Sequence, residues 1–204
     1  MHMKRFVVMV VGLVLLGVPA GLAGQAWETP SFLPPRPGND AGLYLTNGDG
    51  YDLGLAGLWR SGNLGVRVDF FDTNIGSRLG VGAETHGFLL AAGPDFPVDV
   101  SWTAAGGIVV GNGLTSLWIP AGVSIGRTFE LQQISVQPYL HPRIGLSANW
   151  YNGGSNADLN AVLEFGSDIY LNKDWTFRVA FDVGDYGALG IGAAYHISRG
   201  MSVR

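Results

Sequence analysis

The chain has 204 residues, with 12 Lys and Arg against 16 Asp and Glu, and therefore a net charge of −4 at neutral pH. Charged residues make up 14% of the chain, well below the roughly 25% typical of soluble domains, whereas the 32 glycines are about twice the usual share. The acidic balance excludes a basic nucleic-acid-binding surface. The sequence has no cysteine, which excludes disulfides, thiol nucleophiles, cysteine-ligated zinc and a lipid-modified N-terminal cysteine.

The first 23 residues follow the order of a secretory signal peptide. Lys4 and Arg5 precede the uncharged, mostly aliphatic run 6–18, and small residues occupy the −3 and −1 positions of a cut after Ala23. The run is short for a membrane span of about 20 residues, which favours cleavage over an N-terminal anchor helix. A second possible cut follows Ala26. We predict a signal peptide over 1–23 and a Pro-rich, extended and unpaired lead-in over 24–40.

Residues 41–197 alternate with a period of two, the pattern of β-strands whose successive side chains point to opposite faces. The clearest case is 136–150, where every even position is apolar and most odd positions are polar. Turn-forming residues separate the strands, and short connections between consecutive strands predict an antiparallel meander. We count ten segments, at 41–47, 51–60, 63–72, 81–91, 97–110, 114–127, 133–150, 158–171, 174–183 and 187–197.

The two faces of these strands indicate their surroundings. A soluble barrel turns its apolar face inward and its polar face to water. Here the polar face is too sparse in charge and too rich in glycine to be an outer surface, whereas the apolar face is continuous and suits lipid. Because backbone groups in lipid must all be paired, the sheet has to close. The sequence therefore predicts an all-β fold, a closed antiparallel up-and-down transmembrane β-barrel of 8–10 strands over 41–197.

On this distributed pattern, residues 41–197 resemble the small outer-membrane β-barrel proteins of Gram-negative bacteria, in the porin-like superfamily. The resemblance implies an outer-membrane location, lipid as the surrounding medium and insertion by the barrel assembly machinery; it gives no oligomeric state. Many members end in an aromatic residue that this machinery reads, whereas here the tail 198–204 follows the last strand, so Tyr195 and Ile197 are the alternative signal. With ten strands both termini face the periplasm, and the outward connections are all too short to fold inward as a plug.

Charged side chains of both signs fall on the polar, inward face, to which Arg60 also belongs. Because an unpaired buried charge costs several kcal/mol, we expect Arg–carboxylate pairs to hold this interior together. Either a closed, salt-bridged interior or a narrow acid-lined pore fits, and barrels of about eight strands are filled by side chains, which favours the closed one. The predicted lumen charge network consists of Asp52, Arg67, Asp69, Glu84, His86, Asp99, His141, Arg143, Glu164, Asp168, Arg178 and Asp182.

Aromatic residues fall at the ends of several segments, where transmembrane barrels carry girdles at the lipid–water boundary. The predicted girdle residues are Trp59, Phe129, Trp150, Tyr151 and Trp175.

Little in the sequence points to catalysis. His86, His141 and His196 fall on three different strands without metal-ligand spacing, so we predict no metal and no cofactor. The 196–198 triplet, His-Ile-Ser, is similar to the His-x-Ser pair of outer-membrane lipid A deacylases, but the Glu that this family places downstream does not follow Ser198. We predict a structural or narrow passive-channel protein and no enzyme. The alternatives are a lipid-modifying barrel enzyme and a secreted soluble barrel that binds an apolar ligand.

Overall fold

The computed structural model describes residues 29–74, 76–111 and 113–197. The predicted signal peptide (1–23) and the C-terminal tail (198–204) lie outside these residues. Within them, the chain forms strands only, and no helix is long and apolar enough to cross a membrane. The strands are β1 (Asp40–Gly48), β2 (Tyr51–Ser61), β3 (Leu64–Thr73), β4 (Gly76–Leu90), β5 (Asp99–Gly111), β6 (Leu114–Gly126), β7 (Phe129–Glu130), β8 (Ser135–Tyr151), β9 (Gly154–Tyr170), β10 (Trp175–Gly184) and β11 (Ala188–His196).

The ten long strands close into one antiparallel barrel. Each long strand pairs with the next long strand in sequence. The two-residue β7 pairs only with the first residues of β8, so β6 pairs directly with the rest of β8. Strand β1 pairs with β11 from Asp40 opposite His196 to Gly48 opposite Ala188, which closes the ring. The predicted fold, a closed up-and-down barrel, is confirmed.

Two strands begin four or five residues before their predicted segments. Strand β4 begins at Gly76 rather than at 81, and β9 begins at Gly154 rather than at 158. Both extensions have weak alternation, yet their backbones continue the ladder: Thr73 pairs with Gly76, and Tyr151 pairs with Gly154. Two-residue turns therefore replace the longer connections that the sequence suggested, and Gly153 takes the left-handed φ of 109° that such a turn uses.

The barrel has two unlike ends. The near end holds the first residue of β1 and the last residue of β11, together with the longer connections 91–98 and 127–134. The far end holds five tight connections, none longer than the three residues 185–187. Two of these connections are joined across the closing pair of strands, since the N–H of Asp49 donates to the carbonyl of Gly187 at 2.9 Å.

The barrel wall is apolar outside and polar inside. Large hydrophobic side chains are strongly exposed, with Leu159 at 70%, Leu43 at 66% and Ile144 at 60%, whereas the arginines and carboxylates of the inward face, such as Arg178 and Asp168, are buried. In β8 the alternation is regular: His141 and Arg143 point inward, and Leu140 and Ile144 point outward. This is the reverse of a soluble fold and matches a barrel surrounded by lipid.

The residues that precede β1 lie inside the barrel. Residues 29–35 are buried by lumen side chains, and exposure begins only at Arg36, at the near end. This is the described part of the Pro-rich lead-in. We call residues 29–36 the strap. It runs inside the lumen from Thr29 to Arg36, which lies at the near end.

Candidate functional site

The lumen binds the strap through its main chain. Glu164, fully buried on β9, accepts two consecutive backbone N–H groups: that of Ser31 at 2.7 Å to Oε2 and that of Phe32 at 3.0 Å to Oε1. Three side chains donate to strap carbonyls: Arg60 Nη2 to Ser31 at 2.7 Å, Arg67 Nη1 to Pro30 at 2.7 Å and Ser124 Oγ to Leu33 at 2.8 Å. Most of these bonds involve a charged partner, which makes them stronger than neutral hydrogen bonds.

Phe32 is the apolar anchor of the strap. Its ring is fully buried and stacks on Tyr44, with 4.2 Å between ring centroids and 23° between planes. On β11 the ring rests against Gly190, where a Cβ would overlap Phe32 Cζ. Phe32 also has a φ of 53°, a left-handed conformation that a non-glycine residue keeps only when its neighbours enforce it. The hydrogen bonds to Glu164 and the ring packing supply that enforcement.

A serine, a histidine and a glutamate meet at the strap without forming a catalytic triad. Ser31 Oγ lies 2.9 Å from His141 Nδ1, and Thr103 Oγ1 lies 2.8 Å from Nε2, so both ring nitrogens are taken by hydroxyls. A triad needs the serine on one ring nitrogen and the acid on the other, whereas Glu164 Oε2 is 4.0 Å from Nδ1. His141 is 1% exposed, so this group positions the strap.

Ion pairs of the barrel wall orient the side chains that bind the strap. Arg143 Nη2 lies 2.8 Å from Asp182 Oδ2 and 3.3 Å from Glu164 Oε2. Arg60 is paired with Glu84 at 2.5 Å, and Arg67 with Asp69 at 2.7 Å. Each strap-binding charge thus has a partner on the wall itself.

A second cluster spans the closing pair of strands. Arg178 on β10 is fully buried and contacts Asp168 Oδ2 on β9 at 2.8 Å. It also reaches across β11 to Asp40 Oδ2 on β1, at 2.6 Å, and donates to the Tyr44 hydroxyl at 2.8 Å. One guanidinium therefore links both sides of the pairing between β1 and β11, and it supports the tyrosine on which Phe32 stacks.

The structure brings most of the predicted network into the lumen and leaves one residue outside. His86 is buried on β4 beside Glu84, and Asp99 lies at the near end, where it pairs with Arg36 of the strap at 2.7 Å. Asp52 is exposed at the far end. A register shift between Thr46 and Gly48, opposite the start of β2, breaks the alternation there and turns Asp52 away from the lumen.

Some buried charges were missed by the predicted network. Asp40 precedes the first predicted segment by one residue, and Arg78 precedes the predicted start of β4, so neither was assigned to a face. Both are buried, at 0% and 7% exposure. Both residues continue the alternation of the strand that follows, so extending the predicted segments by one to three residues toward the N-terminus would have assigned them to the inward face.

Side chains fill the lumen above the strap. Tyr51 and Phe71 pack edge to face at 5.0 Å, and Trp118 and Tyr186 do so at 5.9 Å. Beside Thr29 lies a cavity of about 40 Å³, lined by residues that include Trp118 and Arg143, with room for one or a few water molecules. A wider mouth of about 560 Å³ opens at the near end, lined by residues that include Arg36, Gln137, Tyr170 and Lys173.

The predicted girdle residues are exposed at the two ends of the barrel wall, each between 45% and 50%. Trp59, Phe129 and Trp175 lie toward the near end, while Trp150 and Tyr151 end β8 at the far end. Their placement at the lipid–water boundaries stays a prediction.

The described residues give little support to a metal site or a deacylase site. Within 29–74, 76–111 and 113–197, no group of three or more His, Asp or Glu could hold a metal ion. His196 Nε2 lies 2.6 Å from Thr176 Oγ1 at the near end, and its ring stacks on Tyr170. Ser198 falls outside the described residues. A soluble carrier of apolar ligands would need an apolar lumen, the reverse of the one observed.

An apolar exterior, a charged interior and full closure of the sheet are the features of a β-barrel that spans a lipid bilayer. No protein-family model matches the chain, and no curated protein matches its sequence.

Solved structures similar to this chain include the KdgM porin in complex with disordered oligogalacturonate, with 11% identity, a TM-score of 0.42 and coverage of 78% of this chain and 99% of that chain. Ail of Yersinia pestis, in complex with the heparin analogue sucrose octasulfate, has 12% identity and a TM-score of 0.29, over 76% and 93% of the two chains. Omp33 of Acinetobacter baumannii has 7% identity and a TM-score of 0.32, over 78% and 97%.

Proposed function

We propose that this protein is a non-enzymatic outer-membrane barrel whose lumen is kept shut by its own strap, and that it serves as a structural or narrow, normally closed passive-channel protein. The observation that carries the proposal is the position of residues 29–35 inside the barrel, bound through their main chain. Export by a cleaved signal peptide and insertion by the barrel assembly machinery belong to the same proposal.

Closure is supported from two sides. In the near half of the lumen, the strap carries Phe32 and Leu33, which are 0% and 2% exposed. In the far half, two packed aromatic pairs occupy the lumen, and a small cavity of about 40 Å³ lies beside Thr29. A ten-stranded barrel is close to the size that side chains alone fill, so one peptide segment is enough to occupy the remainder.

The charges of the lumen favour cations if the strap leaves. Among the described residues, the buried or nearly buried lumen carboxylates number seven and the arginines five, so two negative charges are in excess. The carboxylates are Asp40, Asp69, Glu84, Asp99, Glu164, Asp168 and Asp182; the arginines are Arg60, Arg67, Arg78, Arg143 and Arg178.

A non-enzymatic role is supported by the lumen chemistry. The serine, histidine and glutamate that meet at the strap are buried, and the hydroxyls and backbone groups around them take up their hydrogen bonds. An acyl-chain hydrolase would need such groups at the lipid-facing rim.

Planar-bilayer recordings test this proposal. We expect the full-length mature protein to be silent, and the Phe32→Ala variant, whose strap has lost its anchor, to show small cation-selective steps. Gln132→Ala, an exposed residue near the mouth, is the matched control and should be as silent as the wild type. In the Phe32→Ala background, Asp69→Asn should shift selectivity toward anions because it leaves Arg67 without its carboxylate.

Two results would contradict the proposal. Large, steady steps from the wild-type protein would show that the lumen is open with the strap in place. Silence from a Phe32→Ala barrel that keeps the heat-modifiable gel migration of a folded barrel would show that the strap is not what closes it.

A further inference from the structure

The near half of the lumen has the features of a peptide-binding site, of which the strap is the resident occupant. We propose that it binds short peptides supplied in trans, with an aromatic residue followed by leucine and prolines, when the strap is displaced. This inference rests on the strap placement used above, but it does not require that the barrel conduct ions.

Much of the recognition of the strap acts on its main chain. Five backbone groups of four consecutive residues, 30–33, are satisfied by lumen side chains: two N–H groups by Glu164, and three carbonyls by Arg60, Arg67 and Ser124. A peptide that adopts the same backbone, with the left-handed φ of 53° at the position of Phe32, offers the same groups. Main-chain bonds of this kind give affinity to a peptide site, while pockets for individual side chains give selectivity.

Selectivity comes from one aromatic contact and two side-chain hydrogen bonds. Phe32 lies between Tyr44 and Gly190, and a Cβ at residue 190 would take the space of the ring. Ser31 Oγ meets His141, and Thr29 Oγ1 accepts a hydrogen bond from Arg67. An aromatic residue at the position of Phe32 is therefore the main requirement for a ligand.

The site is organised by the barrel itself. Glu164 is held by Arg143 at 3.3 Å, Arg60 by Glu84 and Arg67 by Asp69, all of them wall residues. Preorganised partners reduce the ordering cost of binding. The strap pairs with lumen side chains, and the ring of strands closes through β1–β11 pairing that begins at Asp40, after the strap. Exchange of one peptide for another therefore leaves the strand ladder intact.

The resident strap competes strongly because it is tethered. A short tether gives an effective concentration of about millimolar, so a free peptide cannot displace the wild-type strap at micromolar concentration. Weakening the strap in the full-length chain lowers that competition. Phe32→Ala does so while leaving every lumen side chain unchanged.

The test is fluorescence anisotropy of a labelled synthetic peptide with the sequence of residues 29–37, added to the refolded full-length Phe32→Ala protein in detergent. We expect saturable binding, at least about 100-fold weaker for the same peptide with alanine in place of Phe32, since burial of a phenylalanine ring dominates the side-chain contacts. The wild-type protein should not bind at micromolar peptide.

A matched pair of hosts locates the site. Adding Gly190→Ala to the Phe32→Ala protein narrows the ring pocket and should weaken peptide binding by roughly 30- to 150-fold. Adding Gly57→Ala, where a Cβ would meet its nearest neighbours at 3.7 and 3.8 Å, should leave binding unchanged. Equal binding to wild type and variant, equal binding to both glycine variants, or no binding to the Phe32→Ala protein would each overturn the inference.

The two proposals fail separately. Peptide binding without any ion current would retain the peptide site and remove the channel role. A Phe32→Ala barrel that conducts ions, but neither binds the free peptide nor is blocked by it, would support closure by the strap and rule out the peptide site.

Discussion

Replacing Gly190 by alanine in the full-length chain should release the strap from the lumen. The new Cβ would overlap Phe32 Cζ and lie 3.0 Å from Cε1 and 3.3 Å from Cε2, whereas non-bonded carbons prefer about 3.5–4.0 Å. The ring must therefore retreat by roughly 1 Å. Tyr44 stacks on the ring at 4.2 Å and opposes a retreat in its direction, so the strap backbone has to move.

The magnitude follows from what the strap then loses. Exposing a phenylalanine side chain costs about 1.5–3 kcal/mol, and stretching hydrogen bonds to charged partners such as Glu164 costs about as much again when they break. Since part of each contact survives a partial shift, we expect a loss of about 2–3 kcal/mol in strap docking, which is roughly a 30- to 150-fold increase in the displaced population.

Chymotrypsin measures this population at the Phe32–Leu33 peptide bond. In the wild type both residues are buried, and cleavage follows the equilibrium opening when reclosing is fast. We expect cleavage of Gly190→Ala to be roughly 30- to 150-fold faster than that of the wild type, as read by intact mass. Gly57→Ala is the control for a glycine-to-alanine change in a strand. If the two variants are cut at the same rate, the assignment of the Phe32 pocket is wrong.

Arg178→Gln should destabilise the barrel by about 3–5 kcal/mol, because it leaves Asp40 and Asp168 buried without their cation. Urea titration, followed by the gel shift of the folded barrel, measures this loss. An unchanged urea midpoint would show that the cluster does not hold the closing strands together. On the outer wall, Ile144→Arg near the middle of β8 should cost about 2–4 kcal/mol in lipid vesicles, whereas Leu64→Arg at the near end of β3 should cost about 0–1 kcal/mol. Equal costs at the two depths would contradict a membrane-spanning wall.

The architecture could be predicted from the sequence because alternation is a local signal. In β8, the odd positions that hold His141 and Arg143 are inward and the even position of Ile144 is outward, as periodicity alone predicts. The alternation of residue types does not reveal where the pairing of two strands shifts by a residue. The register shift beside Gly48 turns Asp52 outward, although its place in the segment suggested the lumen.

The strap could not be located from the sequence because its contacts are distant. A Pro-rich segment without periodicity is typical of an extended, unpaired chain, and the carboxylate that holds Ser31 is 133 positions away. The recognition acts on backbone groups, which every residue carries, so residue types give no signal for it. The glycine that admits the Phe32 ring is one of 32 in the chain, and only the folded barrel shows why residue 190 lacks a side chain.

Thiol labelling of Ser31→Cys tests most directly whether the strap occupies the lumen. The chain has no other cysteine, so a charged methanethiosulfonate reagent reports on this position alone. Ser31 is 9% exposed, and we predict labelling at least about 100-fold slower than at Gln132→Cys, because the reagent must wait for local opening. Adding Gly190→Ala should remove most of that difference. Labelling of Ser31→Cys as fast as of Gln132→Cys in the otherwise wild-type barrel would contradict the account.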